Sequence, residues 1–165
     1  MSDRPPFEFV SSDETATMRF GAALAHALPA SPPNRALRLH LRGDLGAGKT
    51  TLVRGLLREL GVTGAVRSPT YALYELYAAG RWQAVHLDLY RLTDPREVAN
   101  LGLADHDEPH ALWLIEWPER AEGALPAADL ELWLTVDGPA HRIALQARGE
   151  VGEGWLTRLS KSSQF

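Results

Sequence analysis

The chain has 165 residues, 45% apolar and 23% charged, and a formal charge of −4 from 17 basic and 21 acidic side chains. That length fits one domain with a real core, and the acidic balance argues against a chain that grips nucleic acid by itself. The absence of cysteine excludes disulfides, thiol catalysis and cysteine-held metals.

The opening MSDRPPFEFV lacks the apolar core of a secretory signal, and no run approaches the ~18 apolar residues that span a bilayer. A cytoplasmic protein is expected. FEFV (7–10) reads as a strand. SSDETATMRFGAALAHAL then carries a capping-box pattern, Ser11 with Glu14, ahead of Met18, Ala22, Ala25 and Leu28 at helical spacing. PASPPNR (29–35) ends that helix as a loop rather than a domain boundary, because the residues before it are too few to bury a core. ALRLHLR (36–42) alternates apolar and polar residues, as a strand does. TTLVRGLLREL (50–60) has helical spacing and stops at Gly61, a C-cap.

Residues 71–90 read as a β-hairpin around Ala79-Gly80-Arg81. DPREVANL suggests a short helix with Pro95 in its first turn. ALWLIEW (111–117) is a buried strand, and DLELWLTV with HRIALQAR makes a second hairpin around Asp137-Gly138-Pro139. From Glu150 the tail predicts a helix holding Trp155 and Leu159. No repeat is visible. The order predicts a single α/β domain over 1–165, with its core at about 8–148 and a C-terminal tail at 150–165. Its central mixed sheet is flanked by helices, parallel near the glycine-rich turn and antiparallel elsewhere.

That turn, GDLGAGKTT, stands between a predicted strand and a predicted helix. Gly43 to Thr50 matches the P-loop pattern in full. Glycines let the backbone curl so that amide N–H groups face phosphate oxygens, and the helix start adds its positive end. Lys49 then reaches the β- and γ-phosphates, and the Thr50 hydroxyl is placed to ligate Mg²⁺. Lysine occurs only at 49 and 161, neither after an asparagine, so the Asn-Lys-x-Asp guanine-reading element is absent. ATP is expected by exclusion.

Two carboxylates compete as the acidic partner of Mg²⁺. Asp88 shares a strand face with His86 and Tyr90 if Val85, Leu87 and Leu89 enter the core. Glu116 closes an apolar run, where a buried carboxylate demands a cation partner. In RSPTY (67–71), Thr70 could swing its hydroxyl toward the γ-phosphate as a switch loop does. His86 and His106 read as structural or solvent-facing, with no histidine metal site. From the residues alone the loop fits an ATPase, a small-molecule kinase using Asp88 as base and Arg91 or Arg96 on a lid, or a nucleotide-gated binding module.

Taken together, GDLGAGKTT, SPTY, HLDLYRL, IEWPE and DETATMRFG resemble the TsaE (YjeE) family over roughly residues 8–148. The resemblance implies a P-loop ATPase serving tRNA N6-threonylcarbamoyladenosine formation, weak alone and working with the TsaB–TsaD pair. It also implies a chain monomeric by itself, meeting tRNA only through that complex and no membrane. On the same basis Leu45, Gly46, Ala47, Gly48, Lys49, Thr50 and Thr51 would cradle the phosphates, and Thr50 and Glu116 would hold Mg²⁺. Asp88 would orient the metal shell or the attacking water, and Thr70 would lie in the switch-like loop. Trp117 and Glu119 would flank the nucleotide, and Glu14, Thr15 and Arg142 would reach its base side.

Overall fold

In the computed structural model, which describes residues 7–69 and 71–162, strand β2 (Leu37–Arg42) runs through the middle of a seven-stranded mixed sheet. It pairs in parallel with β5 (Ala111–Glu116) on one side and β6 (Leu130–Asp137) on the other. Strand β4 (Trp82–Asp88) adds in parallel to β5. The remaining pairs are antiparallel: β3 (Tyr74–Ala79) with β4, β6 with β7 (Ala140–Ala147), and β1 (Phe7–Ser11) with β7. The spatial order is β1-β7-β6-β2-β5-β4-β3.

Both expected hairpins form, the first starting at Tyr74 rather than residue 71. ALWLIE is buried along its whole length. The LRLHLR strand departs from its pattern. Alternation would put Arg38 and His40 in solvent, yet they are 8% and 6% exposed. Arg38 is tolerated because Asp107 accepts from its guanidinium at 2.9 and 3.0 Å and the Trp113 ring lies beneath it. Sheet position overrides local pattern: a central strand is covered on both faces.

Helices α1 (Glu14–His26), α2 (Lys49–Glu59) and α3 (Gly149–Ser160) bury Phe20, Leu24, Leu52, Leu56, Trp155 and Leu159 against Leu39, Leu41, Leu132 and Ile143 on one face. On the other face Val85, Leu87, Trp113 and Ile115 pack with Leu92 and with Val98 and Leu103, the last two carried by 3-10 turns; DPREVANL forms one of these, Pro95–Leu101, capped by Asp94.

Helix α1 begins differently from its sequence pattern. Asp13 is the cap, accepting from the Ala16 amide at 2.8 Å, while the Ser11 hydroxyl is buried 2.6 Å from that of Thr17. Glu14 is exposed and makes no capping box with Ser11. The buried stripe runs through Thr17, Phe20, Gly21, Ala23, Leu24 and Ala25; Met18, Ala22 and Leu28 are half-buried. The stripe is rotated because α1 touches α2 through backbone. A Cβ on Gly21 would lie 2.2 Å from Leu52 O, and one on Gly55 would lie 2.2 Å from Met18 O.

Candidate active site

The parallel strands β2, β4 and β5 end together at Arg42, Asp88 and Glu116, at the carboxyl edge where α/β proteins build their crevices. The chain leaves β2 through Gly43 and enters α2 at Lys49. Gly43 has φ +151°, and a Cβ there would meet Leu134 O at 2.5 Å; Gly48, the helix N-cap, has φ +105°. Both values belong to backbone that favours glycine. With no side-chain cap at Gly48, the first amides of α2 are left for a ligand.

Lys49 is 5% exposed. Its Nζ donates to Gly43 O and, at 3.0 Å, to Asp44 O, and lies 4.5 Å from the centre of the Trp117 ring. Burial pushes the amine below its ordinary pKa, and Glu116, Asp88, Glu119 and Asp44 oppose that shift by favouring the ammonium.

Thr50 donates to Glu116, its Oγ1 3.0 Å from both Oε1 and Oε2. Glu116 is 2% exposed, and its second partner is the fully buried His86, with Nε2 2.5 Å from Oε2. The carboxylate is thus held by a hydroxyl and an imidazole. His86, read from the sequence as structural or solvent-facing, is fully buried and turned inward onto Glu116.

Asp88 sits beside Glu116 in the β4–β5 register and accepts from the Ser68 hydroxyl and the Tyr90 amide. Trp117 follows at φ 58° and stacks obliquely on Tyr90, ring centres 4.9 Å apart. Leu45 to Thr51, Ser68, Asp88, Glu116 and Trp117 line a cleft of about 260 Å³. A larger cavity of about 390 Å³, beside Trp82, His106 and His110, lies at the far ends of β4 and β5 and contains no glycine loop.

The other predicted residues stand further off. Glu119 lies on a 3-10 turn, 3.5 Å from Arg42, and outside the cleft lining. Glu14 and Thr15 are exposed at the start of α1, Glu14 facing Arg54 at 3.9 Å. Arg142 pairs with Glu8 and Asp137, each at 3.3 Å, across the sheet edge. Its neighbour His141 stands against the glycine loop instead, with Nδ1 3.3 Å from where a Cβ on Gly48 would sit and Thr17 alongside. His141 and Thr17 carried no local signal; strand alternation decides which of 141 and 142 faces the loop. Thr70 lies outside the described residues.

Thr50 and Glu116 offer a hydroxyl and a carboxylate in contact, hard oxygen donors of the kind Mg²⁺ takes while keeping waters and substrate phosphates. The donor set fits the metal. Among the described residues no cluster of three or more histidine or acidic side chains could hold a metal alone.

A mixed sheet, a glycine loop feeding a helix from its central strand, and a cleft lined by a buried lysine and by a threonine donating to a buried glutamate define an α/β protein whose loop carries the P-loop sequence pattern. The sequence profile described as Threonylcarbamoyl adenosine biosynthesis protein TsaE matches residues 11–144, and the chain belongs to the TsaE family. It is 40% identical over 148 residues to the tRNA threonylcarbamoyladenosine biosynthesis protein TsaE of Haemophilus influenzae, covering 90% of this chain and 94% of that one. Its Bacillus subtilis counterpart is 38% identical over 124 residues, covering 74% and 77%. The crystal structure of Bacillus subtilis YdiB superposes with a TM-score of 0.77 at 27% identity, covering 94% of each chain. Among the described residues no helix is long and apolar enough to cross a membrane.

Proposed function

We propose that this chain is the Mg²⁺-dependent ATPase of tRNA threonylcarbamoyladenosine modification, hydrolysing ATP in the cytoplasm in complex with TsaB–TsaD. One observation carries the chemistry: buried Lys49 and the Thr50–Glu116 contact meet in the cleft behind the glycine loop. The family supplies the pathway in which that chemistry is used.

The amides of residues 45–51 receive the phosphates, and Lys49 exchanges its contacts with Gly43 O and Asp44 O for β- and γ-oxygens. Mg²⁺, when bound through Thr50 and Glu116, offsets phosphate charge. Asp88, fixed by Ser68 and the Tyr90 amide beside Glu116, orients the attacking water or the waters of the metal shell. Attack is in line on the γ-phosphorus, and the charge that develops meets Lys49 and the loop amides. Trp117 covers Lys49, but Leu45 at the mouth is 65% exposed, so the lone chain leaves the cleft wet. Closure by TsaB–TsaD would exclude that water, which accounts for weak activity alone. A charge of −4 suits contact with protein subunits that hold tRNA better than contact with tRNA itself.

The test is phosphate release from ATP with and without the same organism's TsaB–TsaD, with Lys49→Ala as blank. The expected result is slow release alone, strong stimulation by the pair, and loss of both in the variant. Tight ATP binding without stimulation would replace this reading with a gated module or a kinase.

A further inference from the structure

His86 lies two positions before Asp88 on β4, and its side chain is completely buried. Its Nε2 stands 2.5 Å from Glu116 Oε2, while its Nδ1 is buried with no hydrogen-bond partner among the described residues. That arrangement is costly if the ring is there only to fill space. A buried imidazole nitrogen left unpaired forfeits hydration, and an aliphatic side chain in an apolar interior would carry no such penalty. What the imidazole supplies and an aliphatic group cannot is a donor to Glu116. An imidazole N–H at Nε2 can donate to Oε2, a hydrogen bond that an aliphatic side chain cannot make.

The consequence is orientation. Glu116 ends β5 on a side chain with three torsions, and both its oxygens lie within reach of Thr50. Committing Oε2 to His86 stops the carboxylate from turning and keeps both its oxygens 3.0 Å from the Thr50 hydroxyl. Metal-binding carboxylates are commonly held by such outer hydrogen bonds, and losing one weakens metal binding by about 10–100-fold. We infer that His86 is a positioning residue that locks the Glu116 carboxylate toward Thr50, so that the pair accepts Mg²⁺ with ATP. This rests on the ATPase reading above and adds to it a residue that touches neither nucleotide nor metal.

The test compares His86→Leu, which removes the donor, with His86→Gln, whose side-chain amide can still donate to Glu116. ATP binding is titrated by calorimetry in EDTA and again in excess Mg²⁺, and the Mg²⁺ concentration for half-maximal hydrolysis is measured with TsaB–TsaD present. In His86→Leu, metal-free ATP affinity is expected within about twofold of wild type, while the Mg²⁺ requirement rises about tenfold or more. His86→Gln is expected to recover most of that loss. Equal weakening of ATP binding with and without Mg²⁺ in both variants would reduce His86 to a packing role, as would an unchanged Mg²⁺ requirement in His86→Leu. Should His86→Leu fail to fold, His86→Asn, whose amide stops short of Glu116, replaces it against the same His86→Gln control. Failure of wild type to bind ATP in either buffer would instead overturn the ATPase reading, so the two failures are distinct.

Discussion

Gly55→Ala adds one methyl group at the crossing of α1 and α2, and its cost follows from the coordinates. The new Cβ would lie 2.2 Å from Met18 O, 2.7 Å from Met18 Cα and 2.8 Å from Met18 C. All three are backbone atoms, so no side chain can swing aside and the helices must part. Reaching an ordinary C···O contact of about 3.3 Å requires a separation of roughly 1 Å. Overpacking of this kind costs about 1–3 kcal/mol or more, and replacing glycine within a helix returns about 0.5–1 kcal/mol. A net loss of about 1–2 kcal/mol corresponds to a fall in Tm of roughly 2–8 °C for a chain of this size. Because α2 begins at Lys49, the displacement also reaches the cleft, and ATP affinity is expected to drop. The matched control is Gly64→Ala, where no atom lies within 4 Å of the added carbon; there Tm should hold or rise slightly. Thermal unfolding followed by circular dichroism, with an ATP titration of each variant, decides the matter. A Gly55→Ala protein melting with Gly64→Ala would refute the claim that α1 and α2 pack backbone to backbone.

Glu116→Ala removes the carboxylate that faces Thr50. Mg²⁺-dependent phosphate release should fall by about 100-fold, while ATP binding in EDTA stays within about threefold; unchanged hydrolysis would sink the metal role of Glu116. Burial holds the His40 imidazole down at about 4, with Glu131 opposing and Arg42 and Arg38 adding to the shift. The unfolded chain, with an ordinary histidine pKa near 6.5, therefore binds the extra proton between these values. The stability His40 contributes is present above about pH 6.5 and is lost as pH falls toward 4, by roughly 3 kcal/mol. His40→Gln should flatten urea-unfolding stability across that window, and an unchanged slope would show that His40 is not the group responsible.

Much of this architecture could be read from local pattern. The glycine loop between strand and helix, the two hairpins, the buried run 111–116 (the expected strand ends one residue early, with Trp117 half-buried at φ 58°) and the terminal helix with Trp155 each depend on neighbours in sequence, where periodicity and turn chemistry carry the signal. The misreadings share a cause. The Ser11 capping box fails because Ser11 remains in β1 and is drawn to Thr17, leaving Asp13 to cap. The face of α1 was misjudged because its tightest contact runs through glycine, which contributes no apolar side chain to a periodic count. Arg142 and His141 differ by one step along β7, and only the register with β1 and β6 settles which faces the loop.

By itself the sequence determined the glycine loop with its lysine and threonine, the α/β class and the family, because a strand–loop–helix motif is contiguous and its pattern is written in residue types. Only the tertiary structure decided that Asp88 and Glu116 end neighbouring strands, that Glu116 closes on Thr50, and that His86 turns inward to hold it. Those contacts join residues 30 and 66 positions apart. They exist because parallel pairing of β2, β5 and β4 brings three strand ends to one edge, a long-range choice that no local spacing encodes.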